Sequence, residues 1–84
     1  MEMIILPNPV TDHLQLLINS GKNGKATIEI IDGTGQKVNH FTEQLQQGSN
    51  TFSYTSVSQL PKGMYYVKMW MEGTVIIQKF CKIN

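Results

Sequence analysis

The side chains able to do chemistry are few and scattered. His13, His40 and Cys81 are the natural ligands for a borderline metal, and they lie far apart with no C-x-x-C or H-x-x-x-H spacing. Asp12-His13 sets an acid beside an imidazole. On an extended strand such neighbours point to opposite faces, so they are not expected to share a ligand site. Asp32-Gly33-Thr34-Gly35 has the outline of a calcium loop, but an EF-hand needs oxygen ligands at its third and fifth positions and glutamate at its twelfth. Those positions hold Thr34, Gln36 and Glu43. A tight turn is the stronger reading: Asp32 bonds its own backbone and the glycines supply positive φ. Calcium remains a minor alternative. Nucleophilic catalysis needs a nucleophile, a base and an orienting group. The chain has no G-x-S-x-G, and its serines lie in loops without a neighbouring histidine. Two carboxylates across a glycosidase cleft need more room than 84 residues provide. The sequence therefore reads as no enzyme, with no cofactor and no metal. Cys81 is the single cysteine, which rules out an internal disulfide and makes it a small hydrophobe near the last strand.

Elements that would position such residues are strands. Leu14, Leu16 and Ile18 alternate with His13, Gln15 and Leu17. Ala26, Ile28 and Ile30 repeat the pattern, as do Tyr65, Val67, Met69 and Met71. Period-2 alternation marks half-buried strands, and no window carries a helical stripe. Turn signals fall at Ser20-Gly21-Lys22-Asn23-Gly24, with Asn23-Gly24 suited to positive φ, and at Asp32 to Gly35. Others fall at Gln46 to Ser49, at Leu60 to Gly63, and at Glu72-Gly73, which reads as a hairpin. The predicted strands are roughly 2–6, 13–19, 25–31, 36–44, 49–54, 64–72 and 74–83. The fold class is all-β: a single immunoglobulin-like antiparallel β-sandwich of about seven strands. The likeness is architectural, because the buried disulfide and strand-C tryptophan of antibody domains are missing. Trp70 shares a face with Lys68 and Glu72 and is expected to be partly exposed. Tyr65, Tyr66, Trp70, Phe52 and Tyr54 are candidates for a sugar-binding strip, but alternation sends one of the tyrosine pair into the core.

Composition narrows the partners. Net charge is +1 with seven scattered Lys and Arg residues, so no concentrated basic face exists for nucleic acid. No run of 18 apolar residues is present, so no direct membrane insertion is expected. The first residues, MEMIILPNP, have neither the basic start nor the long apolar run of a signal peptide. An export signal is expected to belong to a longer parent.

Four short segments occur in a fixed order: Pro7-Asn8-Pro9-Val10-Thr11-Asp12, Ile31-Asp32-Gly33-Thr34-Gly35-Gln36-Lys37-Val38, Leu60-Pro61-Lys62-Gly63-Met64-Tyr65-Tyr66-Val67 and Lys79-Phe80-Cys81-Lys82. Together they resemble the C-terminal sorting domain of the type IX (Por) secretion system, from about Leu6 to Asn84. The resemblance implies a seven-stranded β-sandwich, residues 1–84 as a single sorting domain, at the C-terminus of a longer secreted protein. It implies a role as the signal directing that cargo through an outer-membrane translocon, after periplasmic transit, to the surface or the medium. It further implies removal by a sortase-like protease, which takes the domain as substrate. The domain is covalently part of its cargo.

Residue roles follow. Pro7 and Pro9 fix φ and bias Leu6 and Asn8 towards extended backbone. Asp12 is expected to bond local amides, and Asp32 and Gly35 to form a tight turn. Leu60 and Gly63 end one segment and reverse direction, and Tyr65 and Val67 open a buried face. The surface read in sorting is expected on the last hairpin, Met64 to Asn84, with Phe80 in its motif and Lys79 and Lys82 as exposed basic handles. Cys81 departs from the family's usual β-branched or apolar residue, and any cleavage point is expected upstream of Leu6. The alternative is an accessory β-sandwich binding carbohydrate or protein in a secreted or surface enzyme.

Overall fold

A computed structural model describes residues Met1 to Ile83. The alternating segments become β1 (Glu2–Leu6), β2 (Leu14–Ser20), β3 (Gly24–Asp32), β4 (Lys37–Leu45), β5 (Gly48–Tyr54), β6 (Gly63–Met71) and β7 (Thr74–Lys82). They form two antiparallel sheets, β1-β2-β5 and β4-β3-β6-β7. The predicted sandwich is what forms, with no strand end displaced by more than one residue. Strand order is of the immunoglobulin type, with the fourth strand beside the third rather than beside the fifth as in constant domains.

The period-2 pattern is realised as drawn. Leu14, Leu16 and Ile18 face Ala26, Ile28, Ile30, Tyr65, Val67, Met69 and Met71, and all are at least nine-tenths buried. At about 25 cal/mol per Å² of apolar surface, this shared layer is the main source of stability. One stacked pair ties the sheets at their rim. Phe41 of β4 lies 4.0 Å from Tyr54 of β5, and the Tyr54 hydroxyl donates to Glu43 Oε2 at 2.6 Å. Burial, followed by the Glu43 carboxylate, pushes the Tyr54 phenol well above its ordinary range.

Three local expectations change. Asn23-Gly24 has no positive φ. Gly24 opens β3 where an added Cβ would stand 2.9 Å from Met71 Sδ, so a side chain here would make the Met71 thioether shift. Asn23 Oδ1 instead accepts the Gln47 amide at 2.7 Å. Asp12 and His13 precede β2, outside any strand, so alternation does not part them, and His13 Nδ1 lies 2.9 Å from Asp12 Oδ1. Finally, a single 3-10 turn, Ser56–Gln59, carries the chain between the sheets and buries Val57 completely. One turn of helix is too short to leave a periodic signal. Among the described residues, no helix is long and apolar enough to cross a membrane.

Candidate recognition surface

The four ordered segments, dispersed along the sequence, meet at one end of the sandwich. After β1 the Pro7-Asn8-Pro9 stretch leaves the three-stranded sheet, and both X–Pro bonds are cis. Val10 then docks on the far edge of the other sheet. Its amide donates to Cys81 O at 2.9 Å, and its carbonyl accepts from the Ile83 amide at 2.9 Å. The result is a short parallel bridge to β7, with the Val10 side chain fully buried. The Pro-Asn-Pro segment is thus a crossover that latches the last strand.

The third segment supplies the opposite side of that strand. Gly63, Met64, Tyr65 and Tyr66 pair with Lys82, Cys81, Phe80 and Lys79. Tyr65 stacks on Phe80 at 5.4 Å, and its hydroxyl donates to Pro61 O at 2.5 Å. A tyrosine at the start of the sixth strand, bonded to the backbone a few residues upstream, is the tyrosine corner of immunoglobulin-type sandwiches. Burial, then the Asp32 charge, raises the Tyr65 phenol pKa. The second segment closes the corner, since Asp32 pairs with Tyr65 and Ile31 with Tyr66. Asp32 Oδ1 accepts from Thr34 N at 2.9 Å, Thr34 Oγ1 at 2.6 Å and Gln36 N at 3.0 Å, while Gly35 takes φ 91°. These donors, the Thr34 hydroxyl first, hold the Asp32 carboxyl below the usual range.

Placement sorts the predicted site residues into two groups. Tyr65, Val67 and Phe80 are core, and Leu60 packs against it. Pro7, Asn8, Pro9, Asp12, Gly35, Gly63 and Lys79 are exposed. The Asp12 carboxylate takes hydrogen bonds from the His13 ring and the Thr11 hydroxyl, and among the described residues no neighbour's backbone amide donates to it; the ring lowers its pKa most. One expectation is overturned. Lys82 is not an exposed handle, for only 2% of it is accessible. It is three residues from Lys79, an odd spacing that sends the two lysines to opposite faces of β7, and Lys82 falls on the inward face with Phe80.

Outward-facing side chains of the last hairpin form an apolar surface where the sequence led one to expect basic handles. Met64, Tyr66, Val75 and Ile77 are between 38% and 55% exposed. Cross-strand pairing sets Tyr66 beside Lys79, Lys68 beside Ile77 and Trp70 beside Val75. Trp70 is half-buried, as expected, and Lys68 Nζ sits 5.4 Å from its ring centroid. The aromatic strip breaks up: Tyr65 and Tyr54 are buried, Phe52 packs on the core, and only Tyr66 and Trp70 share the outer face. Among the described residues, no group of three or more His, Cys, Asp or Glu side chains is placed to hold a metal ion.

Comparison with known proteins agrees with this geometry. The family model described as "Secretion system C-terminal sorting domain" matches residues 4–83. No curated protein matches the chain. Among solved structures, the crystal structure of dimeric latent PorU from Porphyromonas gingivalis superposes with a TM-score of 0.80 at 20% identity, over 98% of this chain. The match spans 9% of the PorU chain, and at this identity it speaks for the shared fold. The chain belongs to the secretion-system C-terminal sorting domains, the signals that route proteins through the type IX secretion system.

Proposed function

We propose that this domain delivers a covalently attached cargo to the type IX outer-membrane translocon, and that the translocon reads the outer face of the β6–β7 hairpin. Supporting this reading is the convergence of all four ordered segments on the strands that build that face. Buried members of the segments hold the hairpin, and Met64, Tyr66, Ile77 and Lys79 are what it displays. The cargo travels through the periplasm, crosses the outer membrane, and is released or held at the cell surface once a sortase-like protease removes the domain. The protease meets the domain as a folded substrate, and the domain itself does no catalysis. Residues 1–84 act as one unit in this role.

The test is a fusion of signal peptide, fluorescent protein and residues 1–84 in a bacterium carrying the system. Export to the surface or medium is expected, and fluorescence retained in the periplasm refutes the assignment. Tyr66→Ser with Lys79→Glu, in a chain whose unfolding midpoint is unchanged, is expected to leave the fusion periplasmic. Normal export of that variant shows that the hairpin face is not what the translocon reads.

A further inference from the structure

Lysines scattered along the sequence gather on one face of the fold. The outward side of the four-stranded sheet is built from alternate residues of each strand. Register sets Thr42, Thr27, Trp70 and Val75 in one row, and His40, Glu29, Lys68 and Ile77 in the next. Beyond them Lys37, Ile31, Tyr66 and Lys79 form a third row, and Lys25 stands beside Gln44 at the other end. Four of the seven lysines thus share this face. Glu29 is the single carboxylate in these rows, and Lys37 pairs with it at 3.1 Å. Four lysines against one glutamate leave three positive charges here; the chain as a whole carries +1, so the rest of it is negative.

Apolar side chains are set among those charges. Tyr66 and Ile77 stand at two corners of a square whose other corners are Lys68 and Lys79, and exposed Val75 adjoins half-buried Trp70. Among the described residues Lys25, Lys68 and Lys79 join no ion pair, and Lys68 lies over the Trp70 ring instead. An exposed apolar patch interleaved with charge marks an interaction site. The outward side of the three-stranded sheet is the contrast. It too exposes apolar residues, Ile4 and Leu6, but its one charge is Glu2 and it bears no lysine.

We propose that the outward face of the four-stranded sheet docks on an anionic lipid surface. Tyrosine and tryptophan favour the headgroup region, where an apolar ring body meets water. Lysine stems lie along apolar surface while their ammonium groups reach for phosphate. Attraction of Lys25, Lys68 and Lys79 to anionic headgroups therefore adds to the burial of Tyr66, Val75 and Ile77. Nucleic acid suits this face less well, because its interfaces are polar and the lysines here are separated by Tyr66 and Ile77. The contact is peripheral: both sheets stay whole and no element enters the hydrocarbon core. Lipid docking does not depend on the sorting assignment. Where both hold, Tyr66, Ile77 and Lys79 meet lipid first and the translocon second, so the search for the translocon runs over a surface rather than through a volume.

Trp70 is the single tryptophan, so its emission reports on this face directly. The test mixes the 84-residue chain with vesicles of phosphatidylglycerol and phosphatidylcholine, or of phosphatidylcholine alone. Co-sedimentation with the anionic vesicles and a blue shift of Trp70 emission are expected, both weakening as salt rises. Lys25→Gln and Lys79→Gln are each expected to lower partitioning about fivefold, the effect of one lysine near such a surface. Val75→Ser with Ile77→Ser is expected to lower it about tenfold, with the unfolding midpoint unchanged. Thr51→Glu makes the same change in net charge as Lys79→Gln but on the opposite outer face, and it is expected to leave partitioning as it was. Absence of binding to the anionic vesicles overturns the proposal. So does equal binding to phosphatidylcholine alone, or a loss with Thr51→Glu as large as with Lys79→Gln. Competition by free glycerol phosphate at matched phosphate concentration overturns it in favour of a soluble anion, and tighter binding to duplex DNA than to vesicles overturns it in favour of nucleic acid. None of these outcomes alters the export test, so the two readings fail separately.

Discussion

Single residues at the corner have separable jobs. Tyr65 both stacks on Phe80 and donates to Pro61 O. Removing only the hydroxyl in Tyr65→Phe is expected to cost about 1 kcal/mol in urea unfolding, since the net worth of one such bond is modest. Phe80→Ala deletes a whole buried ring and is expected to cost about 3–5 kcal/mol in the same measurement. Glu72 is the one non-glycine residue with positive φ among those described, at 49°, and with Gly73 at 86° it makes a type I′ hairpin turn. Asparagine suits that conformation better, so Glu72→Asn is expected to gain roughly 0.5 kcal/mol. The exposed pair with Lys22 that it forfeits is worth less. Asp32 carries the pH dependence of the second segment. Its carboxyl is depressed in the folded state, so its contribution is present above the unfolded value near 4 and is lost as pH falls through the folded one. Asp32→Asn is therefore expected to be less stable than the parent chain at pH 7, with the gap narrowing as pH falls below the unfolded carboxyl value near 4 in parallel urea titrations.

At the scale of elements, the sequence displayed its strands and concealed their junctions. Alternation in β2, β3 and β6 states which side chains are inward, and the core contains those residues. It also contained, unread, the fate of Lys82, whose odd spacing from Lys79 places one lysine inside whenever the other is outside. Junctions depend on pairing between distant segments, which no local pattern encodes. Nothing near Val10 shows that its amide will bond Cys81, and nothing near Val57 shows a buried 3-10 turn. The Pro-Asn-Pro segment was legible as rigid, yet its task as a crossover between sheets appears only when β1 and β7 are both in place. Val10→Asp puts an unpaired charge into a fully buried site at this junction. It is expected to destabilise by more than about 3 kcal/mol, and hydrogen exchange at the Ile83 amide is expected to speed before that of β3.

For the whole molecule, the two sheets divide the work. The inner faces hold a continuous apolar layer, and Phe41, Tyr54 and Glu43 clasp the rim formed by β4 and β5, across each sheet from the edges formed by β7 and β1. Neutral Tyr54 is favoured in the fold, so stability is full below the unfolded phenol value near 10 and falls as pH rises past it. Thermal unfolding from pH 8 to 11 is expected to show this loss, and Tyr54→Phe to reduce it to the part that the buried Tyr65 phenol carries. If the clasp and the corner are independent, the costs of Tyr54→Phe and Tyr65→Phe add within about 0.5 kcal/mol in the double variant.

The latch between Val10 and β7 has a consequence for how a nascent chain is judged. The tenth residue finds its partners at positions 81 and 83, so the corner is assembled across nearly the full length of the chain. A copy that lacks those positions leaves the Val10 amide without its acceptor and the crossover undocked. A receptor that reads this corner is therefore reading contacts that join the two ends of the fold, and a domain stripped of its last strand loses them.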